Sequence, residues 1–237
     1  MTRPLVIAHR GASGELPENT LPAFERAVEQ RADMIEVDLH TTRDGEVVIR
    51  HDAELDSLGG RGEIGAATEA DVRRLDAGEG ARVPLLDEML DGFAHRVSFN
   101  LELKVGGAGR YVGMEQVAVA AVRDRGVLNQ TLFSSFYPDV LAALRAEGSD
   151  VRVAVLVAEA WPQGVFERAR AVGAEAVNPY HGLVDAELVR GAHDEGMKVY
   201  PYTVDAVSEM ERLLDLGVDG LFTNFPLRMH EVLAGRE

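Results

Sequence analysis

The sequence predicts an α/β protein built as a (β/α)8 barrel, and two observations lead to that prediction. The first is a repeat in the second half of the chain, where a stretch with helical spacing, a glycine and a short apolar run follow one another five times. Glycine commonly ends a helix because it takes the left-handed conformation without steric cost. Helices that alternate with apolar strands form βα units around a parallel sheet. The glycines of the repeat are Gly126, Gly148, Gly173, Gly196 and Gly217.

The second observation is the number of predicted strands in a chain of 237 residues. The first half contributes three, at Leu5–His9, Met34–His40 and Val97–Lys104. The second half contributes five, at Thr131–Ser134, Val151–Val157, Ala176–Asn178, Lys198–Thr203 and Gly220–Thr223. Eight βα units fit a TIM barrel, which typically takes ~250 residues. The GxGxxG turn of a dinucleotide-binding sheet is absent after the first strand. We therefore predict a single barrel domain over residues 1–237.

One interval between predicted strands is too long for a simple βα unit. Residues 41–95 contain a predicted hairpin, Thr41–His51, that turns at Asp44 and Gly45, and a short helix near Thr68–Leu75. Thr68 is predicted to cap that helix. We predict that 41–95 is a small insertion in the second βα loop. Catalytic residues of such barrels lie at the C-terminal ends of the strands, so the insertion would form part of the wall of the active site.

Composition and charge exclude several classes of protein. The chain has 40 Asp and Glu against 24 Lys and Arg, a net charge of −16, which disfavours nucleic acid as a partner. No apolar run approaches the ~18 residues of an integral membrane segment, and the run Leu5–Ala8 is too short for a secretory signal, so we expect a cytoplasmic protein. With no cysteine, any metal must be held by oxygen or nitrogen ligands. A small molecule is the expected partner, and the oligomeric state stays open.

Polar residues at the ends of the predicted strands are informative, because barrel interiors are otherwise filled with apolar side chains. In the second strand Glu36 and Asp38 are two residues apart, which places both on one face. Glu102 and Lys104 repeat this arrangement in the third strand. Clustered buried carboxylates repel one another unless a cation lies between them. Oxygen ligands without sulfur predict a hard divalent ion, Mg²⁺ or Ca²⁺.

Histidines and basic residues complete the predicted constellation. His9 ends the first strand and His51 ends the predicted hairpin, and both can move protons near neutral pH. Arg10 and Lys104 are donors suited to a phosphate group. In-line displacement at phosphorus requires one oxygen to lose a proton and another to gain one. The combination predicts phosphoryl chemistry, with the two histidines as base and acid in an order that the sequence leaves open.

An ordered set of motifs resembles a known family, the glycerophosphodiester phosphodiesterases. The similarity in order and spacing extends over most of the chain. The matching fragments include His9-Arg10-Gly11, Pro17-Glu18-Asn19-Thr20, Ile35-Glu36-Val37-Asp38, Thr42-Arg43-Asp44-Gly45, His51-Asp52, Glu102-Leu103-Lys104, Tyr202-Thr203-Val204 and Gly220-Leu221-Phe222-Thr223-Asn224.

The resemblance implies metal-dependent hydrolysis of glycerophosphodiesters, such as glycerophosphocholine, to sn-glycerol 3-phosphate and an alcohol, within glycerol and lipid metabolism. Attack by the glycerol 2-hydroxyl through a cyclic phosphate and direct attack by water both stay open. The resemblance also implies a divalent metal, Mg²⁺ or Ca²⁺, and a set of site residues. These are Glu36, Asp38 and Glu102 for the metal, His9 and His51 for catalysis, and Arg10, Lys104 and Tyr202 for the substrate. Tyr202 stands where the family usually has tryptophan.

Two alternative functions are kept beside this one. A lysophospholipase D-type or other phosphodiester hydrolase could use the same site chemistry on a larger substrate. A non-catalytic barrel that binds a phosphate ligand would be expected to lose at least one of the two histidines or three carboxylates, and all five are present.

Other polar or aromatic residues have simpler interpretations. Asn19 and Thr20 are predicted to begin a helix, and Glu18 receives no catalytic role. Among the remaining histidines, His40 lies near the site and is expected to be structural. Asn224 is expected either to contact substrate or to hold a loop.

Trp161 follows the fifth predicted strand and also has two interpretations. It is expected either to wall the pocket or to pack against the following helix.

Overall fold

The barrel strands follow one another along the chain as predicted. A computed structural model describes residues 3–236. The strands are β1 (Leu5–His9), β2 (Met34–Thr41), β3 (Val47–Ile49), β4 (Ser98–Leu103), β5 (Val105–Gly106), β6 (Gly109–Arg110), β7 (Thr131–Ser135), β8 (Arg152–Val157), β9 (Ala176–Pro179), β10 (Lys198–Val199) and β11 (Gly220–Thr223). Eight of them form a parallel sheet in the order β10-β9-β8-β7-β4-β2-β1-β11, and β3 pairs antiparallel with β2. The predicted TIM barrel is confirmed.

The barrel closes between β10 and β11 through separate backbone hydrogen bonds. Pro201 O accepts from Phe222 N at 2.9 Å, and Phe222 O accepts from Val204 N at 2.8 Å. The prediction of a strand over Lys198–Thr203 was too long, because the ladder ends at Val199. Pro201 has no N–H to donate, which interrupts regular pairing at this strand.

Helices alternate with the strands and, apart from α2, cover the outside of the barrel. They are α1 (Leu21–Glu29), α2 (Glu69–Val72), α3 (Leu86–Phe93), α4 (Met114–Asp124), α5 (Pro138–Ala146), α6 (Val165–Val172), α7 (Ala186–Asp194), α8 (Val207–Asp215) and α9 (Pro226–Ala234). Four of the predicted helix-ending glycines, Gly126, Gly173, Gly196 and Gly217, have φ values of 60° to 86°. These values confirm the left-handed conformation predicted for them.

Side-chain alternation divides the barrel strands between an outer core and an interior. Outward-facing residues such as Ile35 and Val37 pack with the helices. The interior has a lower apolar layer, formed by Ile7, Met34, Leu132, Ala154, Ala176, Tyr200 and Phe222. Nearer the C-terminal strand ends, interior positions carry buried polar residues, among them Glu36 and Asn100. The functional end of the barrel is therefore the C-terminal end of its strands.

The chain between β2 and β4 has two parts. Residues 42–85 carry a small apolar cluster of their own, formed by Val48, Leu55, Ile64, Val72 and Val83. Here the predicted hairpin pairs β2 with β3, and Thr68 Oγ1 caps α2 by accepting from Asp71 N at 3.2 Å. Helix α3 also falls within the predicted insertion 41–95, but it packs into the main core through Leu86, Met89, Leu90 and Phe93. By its packing, α3 is the outer helix of the second βα unit.

Candidate active site

Three carboxylates meet near the C-terminal ends of β2 and β4. Parallel pairing places Asp38 opposite Glu102, and the pairing of β1 with β2 places His9 opposite Glu36. One oxygen from each of Glu36, Asp38 and Glu102 lies within 4.8 Å of the other two. All three residues are buried. The structure thus brings together the carboxylates that were predicted to hold a metal.

Burial and mutual repulsion oppose the ionisation of this cluster. The pKa of Glu36 lies well above its ordinary value because of burial and of the charges on Asp38 and Glu102. Burial also raises the pKa of Glu102 to about 7, although Lys104 partly opposes the rise. Burial is the largest cause of both shifts, so ionising this cluster is unfavourable without a further cation. Three buried oxygen donors fit a hard divalent cation, which would favour their ionised forms.

Two side-chain cations contact the cluster. Lys104 Nζ lies 2.9 Å from Glu102 Oε1 and 3.2 Å from Asp38 Oδ1, and Arg10 Nε lies 3.1 Å from Asp38 Oδ2. Burial opposes ionisation of Asp38, but Lys104 and Arg10 outweigh it and lower its pKa. Burial alone would lower the pKa of Lys104, yet Glu102 and Asp38 raise it well above its usual value. Both basic residues stay charged beside the cavity, where an anionic group could bind.

His9 is held by a chain of polar groups from the last strand. Its Nδ1 lies 2.8 Å from Oδ1 of Asn224, whose Nδ2 donates to Asp205 Oδ2 at 2.7 Å. Because Asp205 engages the amide nitrogen, the amide oxygen faces His9 and accepts its Nδ1–H. Nε2 is then unprotonated, and it lies 4.0 Å from Glu36 Oε2. Burial, and then Arg10, lower the pKa of His9 to about 4, so its imidazole is neutral near pH 7.

His51 lies at the rim of the same cavity. Its Nδ1 is 2.7 Å from Asp52 Oδ1, and 36% of its side-chain surface is exposed. The backbone oxygen of His51 accepts from His40 Nε2 at 3.1 Å, and Tyr111 Oη donates to His40 Nδ1 at 2.9 Å. Burial lowers the pKa of His40 to about 4. His40 therefore supports the backbone that carries His51, which agrees with its structural interpretation.

A cavity of about 170 Å³ opens over the carboxylates. Its walls include seven of the predicted site residues, namely His9, Arg10, Glu36, His51, Glu102, Lys104 and Tyr202. Asp38 is 1% exposed and lies beneath them. The hydroxyl of Tyr202 donates to Val157 O at 3.1 Å, and its ring meets Phe136 edge to face with centroids 6.1 Å apart. Tyr202 thus forms one wall of the cavity, held by a hydrogen bond and a ring contact.

The sequence interpretation missed the role of Asn19. This residue is 2% exposed, and its Nδ2 donates to Asp38 Oδ2 at 2.8 Å. Thr20 alone caps α1. The available signal was the presence of two adjacent cap-type residues where a helix needs one. Glu18 is also closer to the site than predicted, because its Oε2 accepts from Arg10 Nη1 at 2.9 Å.

Asn224 orients His9, a role that neither of its two predicted interpretations included. Asp205 in turn holds Asn224 and accepts from Asn224 N at 2.9 Å and from Thr223 Oγ1 at 3.1 Å. No sequence signal pointed to Asp205, which lies in a loop between β10 and α8.

Comparison with known proteins finds relatives over nearly the whole chain. The family model described as the Glycerophosphoryl diester phosphodiesterase family matches residues 9–228. The glycerophosphodiester phosphodiesterase of Bacillus subtilis is 33% identical over 261 residues, covering 98% of this chain and 87% of that protein. The glycerophosphodiester phosphodiesterase of Caldanaerobacter subterraneus subsp. tengcongensis is 33% identical over 237 residues, covering 94% of this chain and 95% of that protein.

A solved structure shares the fold. It is that of an Oleispira antarctica phosphodiesterase in complex with the product sn-glycerol-3-phosphate. The two superpose with a TM-score of 0.85 and 29% sequence identity, over 98% of this chain and 97% of that chain.

Proposed function

This chain belongs to the glycerophosphoryl diester phosphodiesterase family, and from that membership we propose that it hydrolyses glycerophosphodiesters to sn-glycerol 3-phosphate and an alcohol, using a bound divalent cation. It is an enzyme, a phosphoric diester hydrolase. The observation that carries the proposal is the convergence of three carboxylates, two cations and two histidines on one cavity. The Oleispira antarctica relative, whose structure contains sn-glycerol-3-phosphate, supports the proposed product.

Glu36, Asp38 and Glu102 would hold the metal. We assign Mg²⁺ or Ca²⁺, because the three ligands are all oxygen donors. When bound, such an ion lowers the pKa of an oxygen nucleophile and offsets negative charge on the phosphate. Asn19 and Arg10 both contact Asp38, and they keep its carboxylate fixed in the cluster.

Arg10 and Lys104 would bind the phosphate. Both are charged, and both line the cavity beside the carboxylates. A guanidinium and an ammonium are strong hydrogen-bond donors to phosphate oxygens, and they favour the transition state in which negative charge accumulates there. Each already contacts Asp38, so substrate would meet donors whose positions are set beforehand.

We assign His9 as the base and His51 as the acid. The neutral imidazole of His9 presents its free Nε2 to the cluster, so it can accept the proton of the attacking hydroxyl, whether from glycerol or from water. In its protonated form, His51 keeps Nδ1–H on Asp52 and can give its Nε2 proton to the leaving alcohol. His51 lies at the partly exposed rim, where that alcohol would reach solvent. One proton is taken and one is given, as hydrolysis requires.

A metal-by-substrate matrix tests the proposal. Protein treated with EDTA and then supplied with Mg²⁺ or Ca²⁺ is assayed for sn-glycerol 3-phosphate release from glycerophosphocholine and glycerophosphoethanolamine. We expect release only with metal, and none from the Glu36→Gln/Asp38→Asn double variant. Glu175→Gln is the matched control, because Glu175 is ion-paired with Arg152 at 2.5 Å and precedes β9 at the opposite end of the barrel.

Two results would overturn parts of this proposal. Full activity in excess EDTA together with full activity of the double variant would exclude the metal role. Faster hydrolysis of lysophosphatidylcholine than of glycerophosphocholine would favour the lysophospholipase D-type alternative. Within residues 3–236, no helix is long and apolar enough to cross a membrane. The cytoplasmic location stays a prediction.

A further inference from the structure

A second cleft adjoins the candidate active site. It has a volume of about 300 Å³ and is lined by Phe136, Tyr137, Pro138, Trp161, Gln163 and Arg168. Phe136 also lines the first cavity and therefore connects the two. Trp161 is 62% exposed, so the interpretation that it packs against the following helix is not what the structure shows. An exposed indole beside a catalytic cavity offers an apolar surface on which a ligand can pack.

Arg168 gives this cleft its polarity. Its Nη2 donates to Trp161 O at 3.2 Å, whereas its Nε is buried and has no hydrogen-bond partner. Within residues 3–236, no carboxylate lies within 4.0 Å of its guanidinium nitrogens. Arg170, two residues further along α6, shows the usual arrangement, because its Nη1 lies 3.0 Å from Glu195 Oε1. Nη1 of Arg168, by contrast, is accessible and finds no acceptor within residues 3–236, so it can donate to a ligand in the cleft.

We propose that this cleft is the subsite for the leaving alcohol and that it prefers a polyol, such as glycerol or inositol. The proposal rests on the proposed function, since it places the other half of a glycerophosphodiester over the carboxylates. The C–H face of a polyol would pack on Trp161 and Phe136. Its hydroxyl oxygens would accept from Arg168 Nη1 and from Gln163.

Two other alcohols fit this cleft less well. A quaternary ammonium such as choline binds aromatic faces, but here the guanidinium of Arg168 would repel it. An acyl chain would cover the same rings, yet it would also take the charged guanidinium of Arg168 out of water without offering it an acceptor. The unpaired arginine therefore selects hydroxyl groups over both.

The experiment compares kcat/KM for three diesters of sn-glycerol 3-phosphate, those with inositol, choline and methanol. The methyl group of the methanol diester is too small to reach the cleft, so kcat/KM for this substrate measures the reaction without the contribution of the cleft. We expect the inositol diester to be preferred over the choline diester. In Trp161→Ala the ratio of inositol to methyl kcat/KM should fall about tenfold. In Arg168→Met that ratio should also fall, while the ratio of choline to methyl should rise.

Matched controls are Arg170→Gln, on the same helix, and Leu227→Ala, whose side chain is 50% exposed elsewhere. Both should leave the ratios unchanged, and melting temperatures establish that every variant is folded. Unchanged ratios in both Trp161→Ala and Arg168→Met would overturn the subsite. A choline preference that depends on Trp161 would overturn the polyol assignment. If the wild type did not hydrolyse even the methyl diester, the proposed function itself would be wrong.

Discussion

Replacement of Asn224 by alanine is expected to weaken His9 as a base, because it removes the contact that orients the imidazole. Asn224 Oδ1 accepts the Nδ1–H of His9 at 2.8 Å, which keeps the proton away from Nε2. Without this acceptor the imidazole can rotate and can carry its proton on Nε2, the nitrogen that must receive one. A positioned general base contributes about 10²- to 10⁴-fold to rate. Since a mobile histidine keeps part of that function, we expect kcat to fall about 100-fold.

The same substitution should lower stability by a moderate amount. It removes side-chain contacts of 2.7 to 2.8 Å with His9, Ser13 and Asp205. Asp205 keeps the backbone N–H of Asn224 and the hydroxyl of Thr223 as donors. With about 1 kcal/mol for each lost bond, partly recovered by water, the free energy of unfolding should fall by about 2 kcal/mol. For a protein of this size that lowers Tm by about 4 to 8 °C.

Release of sn-glycerol 3-phosphate at saturating substrate and metal gives kcat, and long-range ¹H–¹⁵N correlation spectra give the tautomer of His9. Asn224→Asp keeps an oxygen acceptor for Nδ1–H but places a second carboxylate beside Asp205. It should be less stable than wild type and yet retain kcat within about tenfold. Wild-type kcat in folded Asn224→Ala, or an Nε2–H tautomer of His9 in the wild type, would refute this role of Asn224.

Four further outcomes are expected. Burial lowers the pKa of His40 to about 4 from 6.5, so the unfolded chain takes up a proton as pH falls through 6.5 while the folded chain does not. Between pH 7.5 and 5 the free energy of unfolding should therefore fall by about 2 kcal/mol more in wild type than in His40→Gln, measured by urea titration. Arg31 has a φ of 60°, so Arg31→Gly should raise stability by about 0.5 to 1 kcal/mol, and a lower Tm would contradict this. Lys104→Gln removes the ammonium 2.9 Å from Glu102 and should lower kcat/KM roughly 10- to 100-fold. A loss of less than about twofold would show that Lys104 does not bind the phosphate. Because the net charge of −16 repels the substrate anion while Arg10 and Lys104 act locally, raising salt from about 50 to 200 mM should change kcat/KM by less than about twofold. A steep decrease would show that local positive charge steers the substrate.

The sequence predicted the barrel where each strand is an apolar run with polar ends. The bounds of Leu5–His9 are the same in prediction and structure, and Met34–His40 is one residue short. The seventh strand was predicted too long because hydrophobic patterning does not register the missing N–H of Pro201. Helix α3 was assigned to the insertion because helical spacing does not reveal which core a helix packs against.

The site was predictable where two of its residues share a strand. Glu36 with Asp38, and Glu102 with Lys104, lie on one face by alternation alone. In contrast, His9 and Asn224 are 215 residues apart and meet only because β1 pairs with β11 when the barrel closes. Contacts of that kind depend on topology, and no local pattern encodes them.

The ladder that joins β10 to β9 is the shortest parallel ladder of the barrel. The carboxylates lie on β2 and β4, which pair over six residues, whereas Tyr202 lies beyond a two-residue ladder and is joined to β9 by Tyr202 N to Pro179 O at 3.0 Å. Amides of β10 and of the residues that follow it should exchange with solvent sooner than those of β2 and β4. Substitutions beyond β10 can alter which alcohol fits without moving the carboxylates. A single fold could in this way change its substrate over evolutionary time while its chemistry stays the same.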